Sequence, residues 1–319
     1  MKLINGDGAD EYMQQAVVFE NVVKAFGSFR ALDGLNLKVN AGEVTALLGP
    51  NGAGKTSAVG LMLNMLKPSS GRIEIFGREP KSKELREMTG ALLQETKPAD
   101  GLRTGEILQL FRSYYKNPLS YERLLDLSGL HKEEKRKATA LSGGQRRRLA
   151  FAQALAGNPS LIILDEPTVG MDVESRFRFW EVISALANDG KTILLTTHYL
   201  EEADAVSDQI CVMAEGRLVA SGTPQALKAR VSSRTVSFRS SQELDLNLLN
   251  GLPGVERAEK SGNAYSLYAR ETDELLRNII TSGWEIRDVQ VSSGSLEAAF
   301  RQLTDIQDQH SEIRKVRKI

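Results

Sequence analysis

The chain has 319 residues, with 41 lysines and arginines against 41 aspartates and glutamates, so its formal net charge is +0 at pH 7. That balance excludes a nucleic acid or an anionic membrane drawn in by the field of the whole chain, and any such partner would have to be met by a local patch. Apolar residues are 41% of the chain and mean hydropathy is -0.27; no apolar run approaches the roughly 20 residues that span a bilayer, so no crossing is expected. The length suits one large domain and a smaller one. The start, MKLINGDGADEYMQQ, lacks an apolar core and a basic leader and does not read as a signal peptide. Cys211, the single cysteine, lies in the strand-like run QICVMAEG, where a small buried hydrophobe is expected, and together these features suit a reducing cytoplasm.

Residues 1–15 are polar and read as a loose tail. From Ala16, the runs AVVFENVVKAF, NLKVNAG and EVTALLG are β-branched and aliphatic, and the glycine-rich stretch from Gly49 separates them from the helical pattern TSAVGLMLNMLK. SSGRIEIFG reads as turn and strand. From about 99 to 157 the pattern is helical, with apolar residues three and four apart in GEILQLFRSYYK, SYERLLDLSGL and GQRRRLAFAQALAG. Strand LIILD, helix RFRFWEVISALAND, strand TILLTT, helix EEADAVSD and strands QICVMAEG and RLVASG follow. This alternation predicts an α/β fold with a parallel sheet. Beyond about Val231 the order is strand, helix, strand, strand, helix, strand, then the helix SLEAAFRQLT with Ser295 as N-cap, which predicts a small α+β, ferredoxin-like layer. The domains expected are therefore 16–228, an accessory unit at 229–306, and a polar, basic tail at 307–319.

GPNGAGKT carries the first chemistry. Its residues Gly49, Pro50, Asn51, Gly52, Ala53 and Gly54 let successive backbone N–H groups face phosphate, and the following helix presents its positive end. Lys55 neutralises β- and γ-phosphates, the Thr56 hydroxyl suits Mg²⁺, and Ser57 suits a phosphate oxygen. The ligand expected of this loop is a nucleotide polyphosphate with Mg²⁺. LIILDEPT supplies the second half: a buried strand delivers Asp165 and Glu166 at its end, beside the glycine loop if the sheet is wound as usual. Asp165 would reach Mg²⁺, and Glu166 would act as general base on the attacking water.

A second anion grip, LSGGQ, has the Ser142 hydroxyl, the backbone of Gly143 and Gly144, and Gln145 opening a helix, but no lysine and no metal ligand of its own. Here the sequence resembles the ATP-binding cassette (ABC) family over residues of about 16 to 228, with GPNGAGKT, LLQET, LSGGQ, LIILDEP, VGMD and TTH in the family's order. The resemblance implies an ABC ATPase core with an antiparallel β subdomain and a helical subdomain, working as a head-to-tail homodimer in which each LSGGQ covers the partner's ATP. It implies that Ser142 and Gly144 touch the γ-phosphate in trans, that Gln94 senses Mg²⁺ and water, and that His198 contacts the γ-phosphate. It also implies that Asp172 links the two sites and that Phe26 stacks on adenine. Met171 and Val173 depart from the family's usual leucine and proline and bear on the geometry of that loop. The arginines Arg146, Arg147 and Arg148 read as a solvated or interface-lining face rather than a nucleic-acid site.

The run from Thr197 to Ala229 is similar to the cassette subunits of ABC-2 type drug and lipid exporters of the daunorubicin-resistance type, as is the small C-terminal unit. That likeness implies an ATP hydrolase that powers export through separate transmembrane permease subunits, placed peripherally at the cytoplasmic face of the membrane, with no nucleic-acid partner. A cassette ATPase of translation or DNA maintenance would be expected to carry two cassettes or a long coiled coil. A P-loop phosphotransferase would leave LSGGQ without a role.

Overall fold

The computed structural model describes residues 15–94, 101–230, 234–269, 271–292, 296–297 and 299–300. Of the tails read at residues 1–15 and 307–319, residues 1–14 and 307–319 lie outside the described residues, as does the Ser295 cap, while Gln15 begins the first strand. The chain divides into two compact units, Met1–Thr223 and Pro224–Ile319.

The first unit begins with β1 (Gln15–Phe26), β2 (Phe29–Asn40) and β3 (Val44–Leu48), then α1 (Lys55–Met62), β4 (Ser70–Ile75), α2 (Lys83–Met88) and β5 (Thr89–Leu92). Helices α3 (Thr104–Ser113), α4 (Tyr121–Ser128) and α5 (Gly143–Leu155) form the helical segment. Then come β6 (Leu161–Asp165), α6 (Val173–Asn188), β7 (Thr192–Thr196), α7 (Leu200–Val206), β8 (Gln209–Ala214) and β9 (Arg217–Gly222). One sheet is antiparallel, in the order β2-β1-β4, and the other has six strands in the order β5-β6-β7-β3-β8-β9. Within the larger sheet only β9 runs antiparallel to its neighbour. Every residue of β3, β6 and β7 is buried. Their runs VTALL, LIILD and TILLT are apolar on both faces because both faces of a parallel sheet are covered.

The covering layers are distinct. Val17 and Leu35 of the antiparallel sheet, Ala58 and Leu61 of α1, and Ile163 and Leu194 of the parallel sheet share one core. Ile107, Leu125, Leu141, Leu149 and Ala152 form a second core inside the helical segment. That segment comes close to the sheet at Gly90, where an added Cβ would lie 2.0 Å from the Ala154 carbonyl oxygen. A Gly90→Ala chain must push α5 off β5, a strain expected to cost about 1–3 kcal/mol. Its thermal unfolding midpoint should fall by several degrees; an unchanged midpoint would contradict the close approach. Cys211 on β8 is buried as expected, and burial pushes its thiol up to about 12.

The second unit follows with α8 (Pro224–Arg230), β10 (Arg234–Ser240), α9 (Leu246–Asn250), β11 (Val255–Ser261), β12 (Ala264–Ala269), α10 (Asp273–Thr281) and β13 (Ile286–Ser292). Its four strands pair antiparallel in the order β11-β12-β10-β13. Val236, Phe238 and Ser240 alternate inward along β10, the period of a strand with one covered face. Phe238 and Tyr265 stack with centroids 5.5 Å apart, and Leu249, Leu275 and Ile279 of the two helices close this core.

Candidate active site

Four strands of the parallel sheet end together. Leu47 pairs with Thr196, Asp165 pairs with Thr196, and Leu92 pairs with Leu164. The segments that follow β3, β5, β6 and β7 therefore leave one carboxyl edge side by side, the edge where open α/β sheets bind ligands.

After β3 the chain turns through Gly49 to Gly54 into α1. Gly54 caps that helix at φ 100, a left-handed conformation that glycine reaches without steric cost. A Cβ there would lie 2.5 Å from the Ala31 carbonyl oxygen, and one on Gly49 would lie 2.5 Å from that of Met213. Both glycines are thus fixed by backbone packing as well as by the turn. The Ala53 N–H donates to the Pro50 carbonyl at 3.2 Å and closes the loop. Lys55 folds over it, its Nζ donating to the carbonyls of Gly49 at 2.7 Å and Pro50 at 3.1 Å. Burial lowers the pKa of this ammonium, while the charges of Glu166 and Asp165 push it back up.

Those two carboxylates sit at the end of β6. Asp165 is buried and accepts a hydrogen bond from the Thr196 hydroxyl. Glu166 adopts φ 48, a left-handed conformation that costs a non-glycine residue on the order of 1–3 kcal/mol and persists only where its surroundings hold it. They do: its N–H lies 3.1 Å from both the carbonyl and the hydroxyl oxygen of Thr196. The Glu166 carboxylate then lies between two side chains. Gln94 Nε2 donates to one oxygen at 3.4 Å and His198 Nδ1 is 3.4 Å from the other. Lys55, Gln94, Asp165, Glu166 and His198 are therefore brought to one place.

The LSGGQ stretch is built differently. Ser142 caps α5, its hydroxyl accepting from the Gln145 N–H at 3.3 Å while its own N–H donates to Gln145 Oε1 at 2.9 Å. Gln145 Nε2 donates to Glu133 at 2.9 Å. Ser142 and Gly143 are exposed. Among the described residues, none of the hydrogen bonds of Ser142 to Gln145 reaches the loop from Gly49 to Ser57. Asp172 caps α6 by accepting from the Ser175 N–H and hydroxyl, both at 2.8 Å, and these bonds hold its carboxyl below the usual carboxylate range. Phe26 stands at the tip of the β1-β2 hairpin, 48% exposed, with the Lys24 ammonium 4.7 Å from its ring centroid.

Two elements escaped the sequence reading. Arg147 is not on a solvated face: it is buried, and its guanidinium donates to five backbone carbonyls. Its position, one and two helical turns before the buried Phe151 and Leu155, carried the signal. The second is a brace beneath His198. Thr168 donates to Glu202 at 2.9 Å, Arg176 Nε lies 3.5 Å from the same carboxylate, and the Arg176 guanidinium covers the Tyr199 ring at 4.9 Å. The Tyr199 and His198 rings are 4.1 Å apart.

Among the described residues no group of three or more His, Cys, Asp or Glu converges on a metal position. One hydroxyl, one carboxylate and one amide, from Thr56, Asp165 and Gln94, are the hard oxygen donors that suit Mg²⁺ carried on substrate phosphates rather than in a protein cage.

Backbone N–H groups at a helix start, one ammonium and a pair of carboxylates on a parallel sheet's carboxyl edge suit a nucleoside triphosphate, and the fold is that of the P-loop class. Residues 32–169 match the family model described as ABC transporter. The Nod factor export ATP-binding protein I of Ralstonia nicotianae is 34% identical, the match covering 82% of this chain and 83% of that protein. The daunorubicin/doxorubicin resistance ATP-binding protein of Streptomyces peucetius is also 34% identical, over 91% of this chain and 92% of that one. The chain belongs to the ATP-binding proteins of the ABC transporter family, and it is an ATPase of that type. Among solved structures, a dimeric bacterial ABC transporter cassette matches with a TM-score of 0.59 at 25% identity, over 65% of this chain and 98% of that one. A dimeric cassette in a post-hydrolysis state, bound to ADP and Pi, matches with the same TM-score of 0.59 and 25% identity, over 65% of this chain and 98% of that one. ABC ATPases form dimers and work with transmembrane permease partners.

Proposed function

We propose that this chain is the ATP-hydrolysing subunit of an ABC-2 type exporter, with ATP held between two head-to-tail copies and Glu166 as the general base. The observation that carries this reading is the Glu166 carboxylate, held between Gln94 and His198 at the mouth of the Lys55 loop. The loop N–H groups from Gly49 to Gly54, with Lys55 and Ser57, bind the triphosphate, and Phe26 stacks on adenine. Gln94 orients a water, and Glu166 takes its proton as the water oxygen bonds to the γ-phosphorus. The bond from that phosphorus to the bridging oxygen breaks, leaving ADP and phosphate. His198 donates to the γ-phosphate. Thr56, Asp165 and Gln94 would hold Mg²⁺, which when bound neutralises charge on the phosphate oxygens.

LSGGQ serves the other copy. Ser142, Gly143, Gly144 and Gln145 present a hydroxyl and N–H groups at the start of α5, a site for the partner's γ-phosphate, and Asp172 lies at the crossing between the two sites. In support, a Cβ on Gly144 would meet the Gly170 carbonyl at 3.5 Å, so the two loops adjoin within one subunit. Residues 16–228 form the cassette and 229–306 a ferredoxin-like accessory unit, for which the β11-β12-β10-β13 order speaks; its role is regulatory or dimer-supporting.

Among the described residues no helix is long and apolar enough to cross a membrane. In this reading membrane contact at the cytoplasmic face comes through the permease. The names of the two relatives, one an export protein and one a drug-resistance protein, support an exporter. The test is affinity purification of the tagged full chain from detergent-solubilised native membranes. A polytopic permease should co-purify in about stoichiometric amount, whereas a ribosome or DNA in its place would overturn the assignment.

A further inference from the structure

Arg147 connects parts of the molecule that the reading above gives to different active sites. It lies on α5, whose N-cap is Ser142, and its side chain runs inward to the carboxyl edge of the sheet. Nη1 donates to the carbonyls of Leu93 at 2.6 Å and Gln94 at 3.1 Å. Nη2 donates to those of Asp165 and of Glu166, the latter at 2.8 Å, and Nε donates to that of Pro167 at 3.2 Å. The whole planar fork is thus spent on backbone, at the two places where the chain leaves β5 and β6. These are the turns that aim Gln94 and Glu166.

The chemistry of the fork explains the choice of residue. Carbonyls leaving two adjacent strands point to one spot, and only a guanidinium offers donors in several fixed directions without an acceptor of its own. Burial lowers the pKa of this arginine, and the charges of Asp165 and Glu166 oppose that. The strained φ of Glu166 is held from one side by Thr196 and from the other by Arg147.

We propose that Arg147 is a positioning residue that sets the Gln94 and Glu166 side chains for hydrolysis and makes their geometry follow the helix carrying Ser142. This rests on the reading of Gln94 and Glu166 as the water-handling pair. The Arg147 guanidinium donates to backbone carbonyls through Nε and both terminal nitrogens, so it acts through the two turns it holds. When Ser142 grips the partner's nucleotide, the position of α5 is passed by this one side chain to the carboxylate of its own subunit.

The test uses the full-length chain. ATP turnover, affinity for a fluorescent ATP analogue and thermal midpoint are measured for the wild type, Arg147→Met, Arg147→Lys, Gln94→Ala and the Gln94→Ala/Arg147→Met pair. A misplaced reacting group costs on the order of 10²-fold, so Arg147→Met should lower kcat by about that factor while nucleotide affinity changes less than about threefold. Lysine keeps the charge but donates from a single atom, so Arg147→Lys should fall between. Residues acting through one another are not additive, so Gln94→Ala should cost much less in the Arg147→Met background than in the wild type. A merely structural arginine would leave the Gln94→Ala factor the same in both backgrounds, and that result overturns the proposal. So does an Arg147→Met kcat within about threefold of wild type, since a contact-network coupling should exceed that. Should Arg147→Met fail to fold, the same cycle run with Arg147→Lys decides. Glu166→Gln assayed alongside separates the two readings. An active Glu166→Gln beside an impaired Arg147→Met removes the general base and leaves the tether standing on Gln94, whereas an inactive Glu166→Gln beside an active Arg147→Met removes the tether alone.

Discussion

Glu166→Gln should bind ATP as tightly as the wild type and hydrolyse it about 10²- to 10⁴-fold more slowly, the range for losing a general base. That factor corresponds to about 3–5 kcal/mol of transition-state stabilisation. The substitution keeps the volume of the side chain and its place between Gln94 and His198, each 3.4 Å from a carboxylate oxygen. What it removes is the ability to accept a proton from water. Nucleotide binding should survive because it is made by the loop N–H groups and Lys55, which do not touch the Glu166 carboxylate by hydrogen bond. With hydrolysis blocked, ATP should accumulate in a closed dimer, seen as a doubled mass by light scattering. Turnover within tenfold of wild type would remove Glu166 from the role of base.

Lys55→Ala and Ser142→Arg should each abolish turnover, by unlike routes. Hydrogen bonds to charged groups contribute about 1.5–3 kcal/mol each, so losing the ammonium should weaken triphosphate binding by about 10- to 10²-fold, along with catalysis. The carbonyls of Gly49 and Pro50 would also lose their donor. Ser142→Arg leaves the Lys55 loop whole. It fills the exposed start of α5 with a long side chain and puts a positive charge at the positive end of a helix. It also removes a cap, at a cost of about 1 kcal/mol, which the buried face of α5 can absorb. Ser142→Arg should therefore bind ATP normally and fail to hydrolyse it, while Lys55→Ala should fail at binding. Equal nucleotide affinities for the two variants would contradict this division of labour.

Much of the candidate site's placement on the sheet edge is legible in the sequence because it is written in contiguous runs. LIIL of β6 and ILL of β7 are unbroken apolar runs, so both faces must be covered, and the residues that end such strands fall at one edge of the sheet. GPNGAGKT reads as a phosphate loop because its glycines, lysine and helix start are local features. Side chains that act across long sequence separations are harder to read. Arg147 looks like one charge in a basic triplet, and its partners lie at Leu93–Gln94 and Asp165–Pro167. Four-residue spacing to Phe151 and Leu155 is the signal the solvated-face reading passes over, and nothing local says that five carbonyls wait there. The Thr168, Arg176 and Glu202 brace is hidden for the same reason. One strand is longer than its apolar run suggests: the sequence reading takes only NLKVNAG as strand, whereas β2 begins at Phe29 and includes FRALDGL. There the cross-strand pairing with β1, from Val17 and Val39 to Phe26 and Phe29, overrides local preference.

The central claim is that one subunit cradles the triphosphate and another covers it, and mixing the two inactive variants tests it most directly. In a Lys55→Ala/Ser142→Arg heterodimer, the Lys55 loop of one chain meets the intact Ser142 loop of the other, so one complete site forms per pair. Purified through two different tags, this heterodimer should recover a substantial part of wild-type turnover per intact site, while each parent homodimer stays inactive. A heterodimer as inactive as its parents, with both chains folded and associated, would contradict the shared site.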